Sequence, residues 1–188
     1  MEWGIKQLQA FLDAFLAQPE GTSYRHVDEP YAAFLKATAS TAGKLAKQRV
    51  QWPHPAYTFM LVLLGKWYNP AWQHTLSSLV AQTYSRFSIT QNPSPPQGDY
   101  ILYLWPGDVL SPDALYRFAT AASKGADLIY CGEDILCTNR PYGRYESFFK
   151  SAPSHITALS YDALSCGVAV ERNLFRLEGP ILGSSAGL

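Results

Sequence analysis

Eight consecutive residues, Tyr57–Leu64, read Tyr-Thr-Phe-Met-Leu-Val-Leu-Leu without a charge or a helical spacing of polar positions. A run this short, with aromatic and β-branched members, predicts a strand buried on both faces. Such a strand needs a layer above and below it, which excludes a bundle of helices and a one-sided sheet. Shorter runs of the same texture follow at Phe87–Thr90, Tyr100–Leu104 and Ala126–Cys131. Helical stripes lie between them. Trp72, Leu76, Leu79 and Val80 recur at three-and-four spacing within Ala71–Thr83. Ser111 as cap, Pro112 at the first position and Asp113 beside the dipole predict a helix that runs to about Ser123 and closes on Lys124-Gly125. Strand, helix, strand, strand, helix, strand predicts an α/β domain with a mostly parallel sheet flanked by helices.

The first part of the chain has another texture. Ile5, Leu8, Phe11, Leu12, Phe15 and Leu16 predict an amphipathic helix over 5–18, ended by Pro19-Glu20-Gly21. A second helix is expected from about Tyr31 to Arg49, before the stiff connector Trp52-Pro53-His54-Pro55. We therefore divide the chain into a helical N-terminal extension, 1–56, and an α/β domain, 57–188. The apolar face of residues 5–18 is expected to pack on the domain, to offer a protein partner a dock or to rest on a membrane surface.

Composition narrows the function classes. Hydrophobic residues make up 47% and charged residues 16%, unlike a disordered chain. Fifteen basic side chains balance fifteen acidic ones, which argues against nucleic-acid binding through bulk charge. The longest apolar run, Phe59–Leu64, is too short for a transmembrane segment, and Met1-Glu2-Trp3 does not open a secretory signal. The three cysteines form no C-x-x-C pair and the four histidines are scattered, so zinc is not expected. Ligands of parallel sheets sit at the carboxyl ends of the strands. That draws attention to Gly65–Asn69, Gln91–Pro96, Trp105–Asp108 and Cys131–Asp134.

Three stretches together resemble the family-2 glycosyltransferases of the GT-A fold, a Rossmann-type sheet. Leu61-Val62-Leu63, then Tyr68-Asn69-Pro70, then Ser77-Ser78-Leu79-Val80-Ala81-Gln82-Thr83-Tyr84 follow that family's strand, Tyr-Asn turn and S-[LV]-x-x-Q-[TS]-Y helix. Gly98–Leu104 through Asp108, with Pro112-Asp113-Ala114-Leu115, resembles the strand that delivers its metal motif and the P-[DE]-A-L helix; Ala126–Tyr130 with Glu133-Asp134 continues the register. Phe148-Phe149-Lys150 to Glu171–Phe175 resembles the segment that leads back to the sheet and borders the acceptor. The resemblance implies transfer of a sugar from a nucleotide diphosphate donor to a hydroxyl of a glycan or lipid-linked acceptor. It also implies a divalent cation, Mg²⁺ or Mn²⁺, and a cytoplasmic setting, extending to the inner face of the membrane.

Set against that pattern, the positions are poor in charge. The donor acids fall on Gln91 and Asn92, which offer amides; Asn69 completes the expected donor side. The two acids of the D-x-D motif fall on Trp105 and Gly107, leaving Asp108 as the one metal or donor ligand, or as a residue that hydrogen-bonds its own turn. Glu133 and Asp134, with Trp105, are the expected acceptor or sugar contacts, although a solvated loop is the simpler account of the two acids. Trp67 and Trp72 are further candidates for sugar stacking, and Arg144 and Lys150 for facing a diphosphate. The catalytic base expected after Glu178-Gly179-Pro180 has no counterpart in Ile181–Leu188, and between the second and third strands only Pro93–Gly98 stands for a helix–strand unit. The expected function is therefore a glycosyltransferase-like domain with little or no metal-dependent transfer; the alternative is a non-catalytic relative that binds glycan or scaffolds a partner transferase.

Overall fold

A computed structural model describes residues 25–92, 97–136, 143–150 and 167–178. The helix expected over 5–18 and the positions after Glu178 lie outside them. The described residues comprise two compact units: Asp134–Ser147 with the chain up to Ala39, and Ser40–Glu133 with the chain from Phe148.

The larger unit is built on a five-stranded sheet. Strand β1 (Phe59–Leu63) is central and pairs in parallel with β2 (Phe87–Thr90) and with β3 (Tyr100–Leu104). The register sets Phe59 beside Phe87 and Tyr100, and Leu61 beside Ile89 and Leu102. Strand β7 (Val168–Glu171) runs antiparallel between β3 and β4 (Leu128–Tyr130), giving the order β2-β1-β3-β7-β4. The sheet is thus mixed.

All five residues of β1 are buried because both faces of the sheet are covered. Phe59, Leu61, Leu63, Leu102 and Leu104 point to one face, where they meet Trp72 and Leu79 of α3 (Trp72–Val80) and Leu115, Phe118 and Ala122 of α4 (Ala114–Ala122). Met60, Val62, Ile101, Val168 and Val170 point to the other and meet Phe175 of α5 (Arg172–Glu178). This alternation is the period of two expected of a pleated strand. Each such side chain contributes about 1.5–3 kcal/mol by leaving water.

Several boundaries differ from expectation. The single helix expected over Tyr31–Arg49 is two, α1 (Arg25–Thr38) and α2 (Ala42–Val50). The sequence Ala39-Ser40-Thr41 breaks it, because hydroxyls bond in other directions than along a helix. Thr41 Oγ1 accepts the N–H of Lys44 as the cap of α2, and Ser40 donates to Asp113 Oδ2 at 2.6 Å. Helix α3 ends at Val80, and Val80 is 88% exposed rather than part of the apolar stripe. Thr75 and Ser78 are buried instead. Asp113, not Ser111, holds the cap position of α4. The reason lies in the turn after α3: Gln82 Nε2 donates to the Ser111 carbonyl at 2.8 Å while its Oε1 accepts the N–H of Leu115 at 3.0 Å.

Glu133-Asp134, expected in a loop, opens strand β5 (Glu133–Leu136), which forms a two-stranded sheet with β6 (Arg144–Phe148). In the smaller unit Arg144 Nη2 donates to Asp134 Oδ1 at 2.8 Å, with Nε 2.7 Å from Oδ2 as an ion-pair contact, and the Tyr31 hydroxyl of α1 also donates to Oδ2. Burial, followed by that bond to Asp134, pushes the Tyr31 hydroxyl far above its ordinary value. No helix among the described residues is long and apolar enough to cross a membrane.

Candidate functional site

Because β1, β2 and β3 are parallel, the loops that follow them leave from one edge of the sheet. The β1–α3 loop is shared by two open grooves at this edge. One, about 260 Å³, is lined by Leu63, Trp67, Ile89, Thr90 and Gln91. The other, about 610 Å³, is bordered by Lys66, Tyr68, Asn69 and Pro70 on one side and by Trp105 and Pro106 on the other. Trp67, Tyr68 and Trp105 are exposed there, Tyr68 to 78%. The Lys66 ammonium stands 5.8 Å from the centre of the Tyr68 ring, so that face carries positive charge.

Each expected donor residue falls on this edge, in a different state of engagement. Gln91 lines the smaller groove and is exposed. Asn92 closes a turn in which its N–H donates to Thr90 Oγ1 at 3.0 Å and its carbonyl accepts from the same hydroxyl. Asn69 lines the larger groove, and its Oδ1 accepts the N–H of Ala71 at 2.9 Å, which fixes the entry into α3. Trp72 is not at the surface: it is 3% exposed, and its indole donates to the Lys66 carbonyl at 3.1 Å.

Trp105–Asp108 is a tight turn. Asp108 Oδ2 accepts the N–H of Trp105 at 2.7 Å, and the N–H of Asp108 donates to the Trp105 carbonyl at 3.1 Å. Gly107 sits at φ +99°, a conformation that favours glycine. Burial pushes the Asp108 carboxyl above its ordinary value, the Trp105 N–H opposes that, and Glu133 adds to it.

Glu133 is paired with Lys150, Nζ to Oε2 at 3.4 Å. The Lys150 side chain, a candidate for facing a diphosphate, is 1% exposed and faces Glu133. The neighbouring Cys131 thiol is raised, chiefly by burial, against the pull of Lys150, and is poorly suited to act as a nucleophile. Asp134 and Arg144 engage each other in the smaller unit. Sequence reasoning did not single out Lys66, nor Thr75, Ser78 and Gln82 as support for this edge; the signal for Lys66 was its place in the Gly65–Asn69 loop, and for the other three their place in the quoted Ser-Gln helix motif or beside it.

Among the described residues no three His, Cys, Asp or Glu side chains stand together as metal ligands. Asp108 has one oxygen committed to its own turn and Glu133 faces an ammonium group, so these residues do not fit the divalent-cation site that the resemblance implies. What the edge offers is flat rings, amides and one lysine. The fold and site together define an α/β domain with a mixed five-stranded sheet and open, aromatic-rimmed grooves at the carboxyl edge of its parallel strands. No known protein family and no curated protein sequence matches the chain.

Proposed function

We propose that the chain is a glycosyltransferase-like domain that holds a nucleotide sugar at this edge by stacking and hydrogen bonding rather than through a metal ion. The carrying observation is the pair of grooves around the β1–α3 loop, where exposed Trp67, Tyr68 and Trp105 meet Asn69 and Gln91. Aromatic faces suit both a nucleobase and the C–H face of a sugar ring. Primary amides pair with base edges and ribose hydroxyls without charge. Lys66 supplies the cation on the groove wall that a diphosphate would meet. The return of the chain to the sheet at Val168–Glu171, directly followed by α5, supports the GT-A reading, because that is where the resemblance expects it.

In this reading Asp108 shapes the turn and Glu133 is neutralised by Lys150, so metal-dependent transfer is weak or missing. Thermal melting with UDP-, GDP- and dTDP-sugars, each with EDTA and with Mn²⁺, tests it. A ligand at one hundred times its dissociation constant adds about 2.7 kcal/mol to stability. The expected result is a rise in Tm with at least one nucleotide sugar that is equal in EDTA and Mn²⁺ and survives Asp108→Asn. A rise that needs Mn²⁺ and is abolished by Asp108→Asn overturns the metal-free reading. No rise with any of them overturns nucleotide-sugar binding and leaves the scaffolding alternative.

A further inference from the structure

The β3–α4 connection carries Trp105 and Pro106 to the groove, yet it has no regular structure of its own. Its backbone is tied down by one face of α3 and the turn that follows. Ser78 Oγ accepts the N–H of Leu110 at 3.2 Å, and Gln82 takes the Ser111 carbonyl. Thr75 and Ser78 lie three apart on α3, a spacing that aligns side chains on one helical face, and Gln82 follows in the turn after it. Thr75 stands nearest the site. Its hydroxyl accepts the N–H of Gly107 at 3.0 Å and donates to the carbonyl of Trp105 at 3.3 Å, bridging the turn from behind.

Thr75 is 0% exposed. A buried hydroxyl is costly unless it is bonded, and an aliphatic side chain of the same shape would fill the position without that demand. Hydroxyls inside helices commonly bond the carbonyl one turn back. The Thr75 hydroxyl bonds across to the turn. Trp105 is therefore gripped through its backbone on both sides: its N–H by the Asp108 carboxylate, its carbonyl by Thr75 and the Asp108 N–H. Backbone direction selects the rotamer of the ring.

We propose that Thr75 is a positioning residue of this edge, setting through the Trp105–Gly107 turn how the Trp105 ring is presented to the groove it shares with Tyr68 and Asn69. The value of this for ligand binding rests on the proposed function; the positioning itself does not. The comparison is between Thr75→Val, which keeps shape and loses the hydroxyl, and Thr75→Ser, which keeps the hydroxyl. Two ligand-free readouts serve: the indole ¹H–¹⁵N resonance of Trp105, assigned with Trp105→Phe, and hydrogen exchange of the Gly107 amide. Thr75→Val moves the indole resonance and speeds Gly107 exchange at least about tenfold, as expected for loss of one buried bond. Thr75→Ser restores both. An unmoved Trp105 indole in Thr75→Val, or a Thr75→Ser variant that behaves like Val, overturns the proposal. If Thr75→Val does not fold, Thr75→Ala makes the same comparison. Should UDP-glucose and the other nucleotide sugars fail to bind the unaltered chain, the functional reading falls while the indole readout still decides this one.

Discussion

Two aspartates on one connection, Asp108 half-buried and Asp113 buried, respond to acid in opposite directions. Asp108 sits above the ordinary carboxylate range, chiefly through burial and with Glu133 adding to it. A carboxyl that holds its proton more tightly when folded weighs against folding once pH exceeds its folded value, and that handicap vanishes below the unfolded value near 3.8. Asparagine keeps an oxygen for the Trp105 N–H and carries no charge. Asp108→Asn should therefore raise Tm at neutral pH, with the gain shrinking toward zero in thermal melts run down to about pH 3. Asp113 is the reverse case. Burial alone would raise it, but the Ser40 hydroxyl and Arg117, 2.8 Å away, outweigh burial and hold it below the ordinary range. Its contribution is present above the unfolded value and lost as pH falls through the folded one. Asp113→Ala should cost about 2 kcal/mol at neutral pH and less in acid, read by urea unfolding. Proline and glycine in Trp105–Asp108 made the turn legible in sequence, with Asp108 as a partner for its backbone. Nothing local could reveal that Thr75 closes it, since the two meet only through the packing of α3 on the sheet.

At the scale of elements, the strands of the parallel core were the most legible part. Tyr100–Leu104 has the expected bounds and β1 lies within the expected run, because burial on both faces leaves an uninterrupted apolar signature; the edge strand Phe87–Thr90 also has the expected bounds, although Ser88 and Ile89 are exposed. Helix α3 was legible in position but not in facing: Thr75 and Ser78 are buried because they serve the neighbouring connection, and Val80 is turned out. Periodicity cannot register a polar residue that is buried to satisfy another segment's backbone. The same holds for Gln82, whose amide satisfies Ser111 and Leu115. Gln82→Leu strands both groups and should cost about 2 kcal/mol, measured as a fall in the urea midpoint at constant m-value. At the opposite edge of the sheet, Gly98 has φ +92°, and a Cβ there would lie 3.2 Å from the Met60 nitrogen and the Thr58 oxygen. Those are backbone atoms of β1 and the residue before it and cannot step aside, so Gly98→Ala should destabilise by more than about 1 kcal/mol in the same assay.

For the molecule as a whole, the order of the sheet and its one antiparallel strand were not legible. Val168–Glu171 carries an ordinary apolar signature, and only pairing with Leu102 and Ile129, distant in sequence, inserts it between β3 and β4. The pairing of Glu133–Leu136 with Arg144–Phe148 was hidden for a related reason: both segments mix charged and apolar residues without sustained alternation, and the Asp134–Arg144 ion pair joins them instead. The site was legible as a place, because parallel strands deliver their loops to one edge, and only partly as chemistry. Asn69, Gln91 and Trp105 line the grooves, whereas Asp108 and Glu133 are engaged by the protein itself. The central claim is that this edge takes a nucleotide sugar without a metal ion. Its most direct test is a ¹H–¹⁵N titration of the full chain with UDP-, GDP- and dTDP-sugars in EDTA. The account predicts saturable shifts at the Trp67 and Trp105 indoles and at the amides of Tyr68, Asn69 and Gln91, with Thr58 and Asp99 at the opposite edge unmoved. No shifts with any nucleotide sugar, or shifts centred on Thr58 and Asp99, would contradict it.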